Sequence, residues 1–302
     1  MSAAAAAPRS RGSLATLRAA FNSYLRQTLA AHASPDGKLG DALRYAALSP
    51  GKRARPLLVL TASEAAGGSW REALPAAAAV ECVHAFSLVH DDLPAMDDDD
   101  YRRGRLTTHK KFGEALGVLA GDALLAFAFE ELTRLPLARR QPTRALLAIR
   151  LLAEAAGANQ LIQGQALDVE AEGRRVTRDD VAEIHLRKTG ALIAASLAMG
   201  AIAGGADESM IAGLHDLGLD LGLAFQIQDD LLNAGSTLAR LGKRGGTDAA
   251  RGKATWPRAV GQRQAEADAA SLHVTIAERL AALGPRARKL RQLVAALAAR
   301  KR

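Results

Sequence analysis

Residues 76–92 read AAAAVECVHAFSLVHDD, and this stretch decides the fold that the sequence predicts. Within it, Ala79, Val83 and Phe86 recur at i, i+4 and i+7. That interval places side chains on one face of an α-helix. No segment of the chain shows the alternating pattern of β-branched residues that is typical of a strand. The sequence therefore predicts an all-α protein.

Prolines divide the chain into helical segments, because proline lacks the amide donor that a helix interior needs. The predicted helices cover about residues 14–32, 37–47, 54–66, 72–92, 108–134, 142–168, 177–203, 207–233, 255–281 and 284–300. No linker or fixed repeat separates them. We therefore expect one large bundle of about ten or more helices over residues 14–302, preceded by a disordered tail at residues 1–13.

The composition limits the functions that the chain can have. It has 302 residues, with 40 Lys and Arg against 32 Asp and Glu, and a net charge of +8 that suits nucleic acid, an anionic membrane or a small anionic substrate. An aromatic content of 4% offers little for stacking on unpaired bases. The one cysteine, Cys82, excludes a disulfide scaffold and favours a reducing cytoplasm. The long uncharged run at 189–206 indicates a buried helix and not a membrane span.

Two acidic motifs carry the chemistry. Six carboxylates follow the apolar helix within a short stretch: Asp91, Asp92, Asp97, Asp98, Asp99 and Asp100. A second set occurs at i, i+3, i+4 and i+7 on one helical face: Gln226, Asp229, Asp230 and Asn233. Two such faces in an apolar bundle would repel each other unless cations lie between them. Since Mg²⁺ prefers carboxylate and phosphate oxygens, the motifs predict a site for magnesium and a diphosphate.

Basic residues supply the remaining charge that a diphosphate needs. Lys52, Arg53 and Arg55 share a predicted turn, and Arg102 and Arg103 close the first acidic motif. Arginine binds phosphate oxygens in a bidentate manner, and lysine adds a point charge. A single charged run is more often a solvated surface, but together with two carboxylate faces these runs favour a binding site. P-loop, zinc-protease, EF-hand and nucleophile-elbow motifs are absent from the sequence.

On these motifs the chain resembles a trans-isoprenyl diphosphate synthase, and it is most similar to the bacterial farnesyl diphosphate synthase branch. The resemblance covers residues 51–255. Asp91, Asp92 and Asp97 match the first aspartate-rich motif of that family in its longer spacing. Asp229 and Asp230 match the second motif, whose third aspartate is replaced here by Asn233. Because an amide brings no charge, we expect looser metal binding on that side.

By matching position, the resemblance implies a role for each site residue. The metal ligands would be Asp91, Asp92, Asp97, Asp229 and Asp230. Isopentenyl diphosphate would be held by Lys52, Arg55, His84 and Arg103. The allylic diphosphate would be held by Arg102, Lys188, Thr189, Gln226, Lys243 and Lys253, of which Arg102, Lys188, Thr189 and Gln226 would be catalytic.

The resemblance also implies the reaction and its setting. The expected activity condenses isopentenyl diphosphate with dimethylallyl or geranyl diphosphate to give farnesyl diphosphate, by ionisation, alkylation and proton loss. It implies Mg²⁺, three ions with a bound diphosphate, with Mn²⁺ as a substitute. It further implies an isoprenoid-synthase bundle around a deep cavity and a cytoplasmic homodimer. Phe86 and Ser87, five and four residues before Asp91, would set the product length, and an aromatic at the former fits a C15 product.

Several alternatives stay open on the sequence alone. The product could be geranyl or geranylgeranyl diphosphate instead. A terpene synthase is disfavoured, since it has no need of Lys52, Arg55 and His84. The amide at Asn233 leaves open a weakly active or regulatory homologue. The high charge and the basic C-terminus suggest nucleic-acid binding, against which a solvated tail is favoured.

Overall fold

Alanine and leucine dominate the chain, and both favour helices. The computed structural model describes residues 13–33, 36–234 and 252–299. Its first helices are α1 (Leu14–His32), α2 (Lys38–Ala47), α3 (Ala54–Ala65) and α4 (Leu74–Asp91). After β1 (Tyr101–Arg102) and β2 (Arg105–Leu106) follow α5 (Thr108–Phe112), α6 (Glu114–Leu132), α7 (Leu137–Arg140), α8 (Pro142–Ala156) and α9 (Leu161–Glu170).

The second half of the chain is also helical. It contains α10 (Arg178–His185), a π-helical turn (Leu186–Gly190), α11 (Ala191–Gly204), α12 (Glu208–Ala234), α13 (Trp256–Val260), α14 (Gln262–Ala282), a 3₁₀ turn (Pro285–Ala287) and α15 (Arg288–Ala298). The predicted all-α fold is therefore confirmed. Ser13 caps α1 by accepting a hydrogen bond from the Thr16 amide. The rest of the predicted tail, residues 1–12, and the predicted ligand Lys243 lie outside the described residues.

Three predicted helices are broken where the sequence analysis made them continuous. Gly113, with φ of 92°, separates α5 from α6, and Gly261, with φ of 84°, separates α13 from α14. Residues with a side chain rarely adopt such angles, so a helix ends at each glycine. The predicted helix at 142–168 is interrupted at residues 157–160, between α8 and α9.

Helix α4 lies at the centre of the bundle. It packs against α1, α2, α3, α6, α8 and α11, and most of its residues are buried. Helix α11 packs against α3, α8 and α12 and is apolar on every side, as expected for a helix within a core. These packings bring the C-terminal end of α4 close to the segments that carry the predicted site.

Two helical stretches have the length and apolar character of a membrane span, Pro142–Glu170 and Arg178–Gly204. In the second, 78% of the apolar window is buried within the protein, which is typical of a core helix. The first is only 33% buried, and it is broken between α8 and α9. Its exposed side carries apolar residues such as Leu146, which is 64% exposed.

Candidate active site

The first acidic motif folds back on the end of α4. The Asp97 amide donates to the Asp91 carbonyl at 2.8 Å, and the Asp98 amide donates to the Leu93 carbonyl at 3.1 Å. Asp98 adopts a left-handed conformation, with φ of 47°, to make this loop. Burial raises the pKa of the Asp91 carboxyl, Lys188 opposes that shift, and Asp97 adds to it. Asp91 and Asp97 therefore share one electrostatic environment beside Lys188.

Two lysines, Lys188 and Lys253, lie close to Asp91 and Asp97. Lys253 Nζ donates to Asp97 Oδ1 at 2.9 Å, and Lys188 Nζ donates to Asp168 Oδ2 at 2.6 Å. Lys253 Nζ also lies 3.9 Å from Asp168 Oδ2. The structure thus brings together predicted residues that are far apart in sequence, as the resemblance implies.

Asp168 is a site residue that the sequence analysis missed. It lies near the end of α9, and only 8% of it is exposed. Gln165 and Asp168 lie at i and i+3 on α9, but Gln163 and Glu170 of the same helix are polar as well. The spacing alone therefore did not single out Asp168.

Lys188 and Thr189 lie on the π-helical turn between α10 and α11. A π turn widens a helix by one residue and is frequently found at functional sites. The turn is approached closely by two helices. A Cβ at Gly164 of α9 would lie 2.3 Å from the Lys188 amide nitrogen, and a Cβ at Gly222 of α12 would lie 2.4 Å from Gly190 Cα. Gln226 lies one turn beyond Gly222 on α12.

Asp92 and Asp230, one in each acidic motif, are buried carboxylates that the protein itself holds. Asp92, which is 3% exposed, accepts a hydrogen bond of 2.6 Å from Arg102 Nε. Asp230, which is 8% exposed, accepts from His185 Nε2 at 2.9 Å and from the Trp256 amide at 2.7 Å, both at Oδ2. If Asp230 binds a metal as predicted, it must therefore do so through Oδ1. Asp229, its neighbour on α12, is half-buried.

A basic pocket adjoins the acidic cluster on the other side of Asp92 and Arg102. His84 and Arg103 are among the residues that line it. Arg55 Nη1 lies 3.5 Å from His84 Nε2, and Arg103 Nη1 donates to the Pro50 carbonyl at 2.7 Å. Burial lowers the pKa of His84 well below its usual 6.5, and Arg55 and Arg103 lower it further. His84 is thus a neutral imidazole among arginines.

The hairpin between β1 and β2 sets the directions of Arg102 and Arg103. Tyr101 pairs with Leu106, and Arg102 pairs with Arg105. Arg103 and Gly104, at the tip, have φ of 53° and 75°, as a tight two-residue hairpin turn requires. Arg102 consequently contacts Asp92, while Arg103 reaches the turn at Pro50. The sequence analysis did not foresee this hairpin.

One cation of the predicted phosphate turn is directed inward. Arg53 was grouped with Lys52 and Arg55, but only 8% of it is exposed, and it donates to Glu81 Oε1 at 2.5 Å and to the Ala47 carbonyl at 3.2 Å. Its backbone is left-handed, with φ of 54°, at the start of α3. Lys52 is exposed. Arg53 is therefore part of the support beneath the pocket.

The two predicted product-length residues lie on α4 before Asp91. Phe86 is buried, and its ring makes an edge contact with His90, with ring centres 4.9 Å apart. Ser87 Oγ donates to the His84 carbonyl at 3.0 Å. Gly121 of α6 provides the space for His90, since a Cβ there would lie 2.1 Å from His90 Nε2.

The donors present fit a magnesium ion that binds together with its substrate. Within residues 13–33, 36–234 and 252–299, no three histidine, cysteine or acidic side chains form a ready-made metal site. Asp91 and Asp97 offer two carboxylates on one loop. Mg²⁺ is usually held by one or two carboxylates, several waters and the phosphates of a substrate. The arrangement therefore suits a metal–diphosphate complex better than a resident metal.

Comparisons with known proteins find similar sequences and a similar fold. The polyprenyl synthetase family model matches residues 36–292. The chain is 44% identical over 220 residues to the farnesyl diphosphate synthase of Geobacillus stearothermophilus, covering 73% of this chain and 74% of that protein. It is also 44% identical over 245 residues to chloroplastic geranylgeranyl pyrophosphate synthase 11 of Arabidopsis thaliana, covering 80% and 68%.

A solved structure extends the similarity to the fold. A geranyltransferase from Helicobacter pylori, crystallised with magnesium and isoprenyl diphosphate, is 30% identical and superposes with a TM-score of 0.79. The match covers 98% of both chains.

Proposed function

The chain belongs to the polyprenyl synthetase family, and from this premise we propose that it is a farnesyl diphosphate synthase. Its activity is that of a trans-prenyl diphosphate synthase, which transfers the prenyl group of an allylic diphosphate to isopentenyl diphosphate. The proposed substrates are dimethylallyl diphosphate and then geranyl diphosphate. Each condensation releases one pyrophosphate, and the second gives the C15 product.

The observation that carries the proposal is the pair of unlike charged sites at the end of α4. One combines Asp91 and Asp97 with lysines, and the other is lined by His84 and Arg103, with Arg55 beside His84. The two carboxylates that line the second site, Glu81 and Asp92, are each paired with an arginine. A diphosphate that must leave needs a metal and therefore carboxylates, whereas one that is only held needs cations alone. The allylic diphosphate, which leaves, therefore matches the first site, and isopentenyl diphosphate, which is only held, matches the second. A terpene synthase would need only the first.

On the leaving side, we assign the metal to Asp91, Asp97 and Asp229, with Asp92 and Asp230 beside them. Mg²⁺ would supply positive charge to the departing pyrophosphate. Arg102, Lys188 and Lys253 add fixed cations around the same oxygens. Positive groups placed in advance stabilise charge as it develops on the pyrophosphate, and this lowers the barrier to breaking the allylic carbon–oxygen bond. Lys243 belongs to the same proposed set.

On the accepting side, Lys52, Arg55, His84 and Arg103 hold isopentenyl diphosphate so that its double bond faces the allylic carbon. The carbon–carbon bond forms as that double bond attacks the allylic cation, and a proton then leaves to the released pyrophosphate. Thr189, Gln226 and the main chain at Lys188 are proposed to stabilise the cation. Correct orientation of two bound reactants alone contributes several kcal/mol, about 7–11 at the upper limit.

The product length is assigned to Phe86. It lies on α4 before Asp91, in the direction in which a growing prenyl chain would extend from the acidic cluster. A buried aromatic ring held by its contact with His90 would stop that chain at C15. Ser87, the second residue of the pair, is smaller and leaves the limit to Phe86.

The proposed enzyme is a cytoplasmic homodimer. Val118 and Leu119 on α6 are 41% and 50% exposed, although α6 is apolar nearly all round. Such a helix is usually buried, and a second copy of the chain would cover its exposed side. Cys82 is buried and forms no disulfide, which suits a reducing compartment.

An assay of the purified full-length protein with product sizing tests the proposal. Incubation with isopentenyl and geranyl diphosphates and Mg²⁺ should give farnesyl diphosphate, and farnesyl diphosphate offered as the allylic substrate should not be extended. Accumulation of geranylgeranyl diphosphate would overturn the product assignment. Absence of any condensation would overturn the activity and favour a regulatory homologue. The Asp91→Asn variant is the inactive control.

A further inference from the structure

Asp230, which the resemblance implies as a metal ligand, lies at the centre of a buried network. Its Oδ2 accepts hydrogen bonds from His185 Nε2 at 2.9 Å and from the Trp256 amide at 2.7 Å. The His185 and Trp256 rings stack with centres 6.2 Å apart and planes 18° apart. All three residues are at most 8% exposed. The carboxylate is thus satisfied by the protein itself, as a buried charge must be.

The three members of this network belong to three different segments of the site. His185 ends α10 and directly precedes the π-helical turn that carries Lys188 and Thr189. Trp256 begins α13, three residues after Lys253. Asp230 follows Asp229 on α12. The three segments are far apart in sequence, so local chain geometry does not fix their positions relative to one another.

Further contacts hold the network from outside. Trp256 Nε1 donates to Asp268 Oδ2 at 2.9 Å, and Arg178 Nη2 lies 3.3 Å from Asp268 Oδ1. The Gly173 amide donates to the Gly252 carbonyl at 3.1 Å, which ties the chain just before Lys253 to the segment between α9 and α10. The indole therefore cannot rotate freely, and the backbone around Lys253 is fixed on both sides.

We propose that His185, Asp230 and Trp256 are positioning residues that fix Lys188 and Lys253 relative to Asp229. The second acidic motif is then divided between two tasks. Asp229 faces the substrate, and Asp230 anchors the π-helical turn and the start of α13 to α12. In the first acidic motif, Asp92 is likewise held by Arg102, and its neighbour Asp91 belongs to the proposed metal site. This inference rests on the proposed function for its substrate, but the network itself is independent of it.

Matched asparagine variants on α12 separate the two tasks. Asp229→Asn removes the proposed metal ligand, Asp230→Asn removes the anchor charge, and Asp216→Asn changes an exposed aspartate on the same helix as the control. Calorimetry with inorganic pyrophosphate and Mg²⁺ measures binding without turnover. We expect Asp229→Asn to raise the half-saturating Mg²⁺ concentration about tenfold, and Asp230→Asn to leave it within about twofold.

Hydrogen exchange provides the readout that a metal ligand would not change. In Asp230→Asn, amides at 186–190 and 256–260 should exchange about tenfold faster, whereas Asp229→Asn and Asp216→Asn should leave them unchanged. Trp256→Phe keeps the main-chain bond to Asp230 but loses the bond to Asp268, and should give a smaller increase in the same amides. If Asp230→Asn does not fold, Trp256→Phe tests the inference in its place.

Kinetics then connect the network to the reaction. We expect Asp230→Asn to raise the KM for geranyl diphosphate and to lower kcat, with the KM for isopentenyl diphosphate unchanged. A rise in Mg²⁺ requirement equal to that of Asp229→Asn, or unchanged exchange at 186–190, would overturn the inference. If the wild-type protein lacks prenyl transfer but the variants show the expected differences in exchange, only the proposed function is overturned.

Discussion

At the scale of single residues, backbone strain is concentrated around the two proposed diphosphate sites. In the described part of the chain, the non-glycine residues with positive φ are Arg53, Asp98 and Arg103. Such conformations cost about 1–3 kcal/mol each and persist only where neighbours enforce them. The enforcing contacts are those of Arg53 with Glu81, of the Asp98 amide with Leu93, and of Arg103 with Pro50. The strain serves to aim charged side chains.

Gly51 provides the space that Arg103 needs. A Cβ at this position would lie 2.4 Å from Arg103 Nη1, so Gly51→Ala must displace the guanidinium. We expect the KM for isopentenyl diphosphate to rise about tenfold, with the KM for geranyl diphosphate unchanged. Steady-state kinetics with each substrate varied in turn measure both values. Gly213→Ala, which meets nothing within 4 Å, is the control. Equal kinetics for the two variants would contradict this role of Gly51.

His84 gives the protein a pH-dependent contribution to stability. Its pKa is lowered in the folded state from the usual 6.5, so below that pH the unfolded chain binds more protons than the folded one. Stability is therefore lost as the pH falls, by at most about 1.4 kcal/mol per pH unit for one proton. We expect Tm to fall more for the wild type than for His84→Gln between about pH 7.5 and about pH 5.5. Parallel decreases in calorimetry would argue against the shift.

The sequence predicted which residue types would carry the chemistry, but it did not predict where each side chain is directed. Lys52, Arg53 and Arg55 look equivalent in the sequence, yet Arg53 is buried and pairs with Glu81, whereas Lys52 is exposed. The partners of Asp92 and Asp230 come from other segments, so no local pattern contains them. Asp168 shares α9 with three other polar residues, so its spacing from Gln165 did not single it out either.

At the scale of elements, helix α4 was predicted well because its apolar spacing and its flanking prolines act locally. The breaks at Gly113 and Gly261 were missed, because a glycine within an apolar run is compatible with a helix until tertiary packing selects a positive φ. The π-helical turn was also not foreseen. It is a single inserted residue, and the nearby helices α9 and α12 stabilise it through Gly164 and Gly222.

Phe86 on α4 is expected to limit product length. Phe86→Ala would remove the ring that contacts His90 and extend the space for a prenyl chain along α4. We expect geranylgeranyl and longer diphosphates in place of most of the farnesyl product, measured by chromatography of the dephosphorylated alcohols. Ser87→Ala, a smaller change on the adjacent position, should leave the product at C15. An unchanged C15 product from Phe86→Ala would remove Phe86 from this role.

At the scale of the whole molecule, the exposed apolar side of α6 is expected to be the dimer interface. Leu119→Arg would place a charge on that side and should convert the dimer into a monomer, because an unpaired charge within an interface is costly. Light scattering coupled to gel filtration measures the mass. Val274→Arg changes an isolated apolar residue on α14 that is 59% exposed, and it should remain dimeric. A monomeric wild type, or a dimeric Leu119→Arg, would contradict the assignment.

The central claim is that the acidic faces of α4 and α12 act together through Mg²⁺ to release pyrophosphate from an allylic substrate. The most direct measurement is the rate of pyrophosphate release from geranyl diphosphate, with isopentenyl diphosphate present, as a function of Mg²⁺ concentration. We expect release to require Mg²⁺ and to fall by at least about a hundredfold in both Asp91→Asn and Asp229→Asn. Release at the wild-type rate in the presence of a chelator, or in either variant, would contradict the claim.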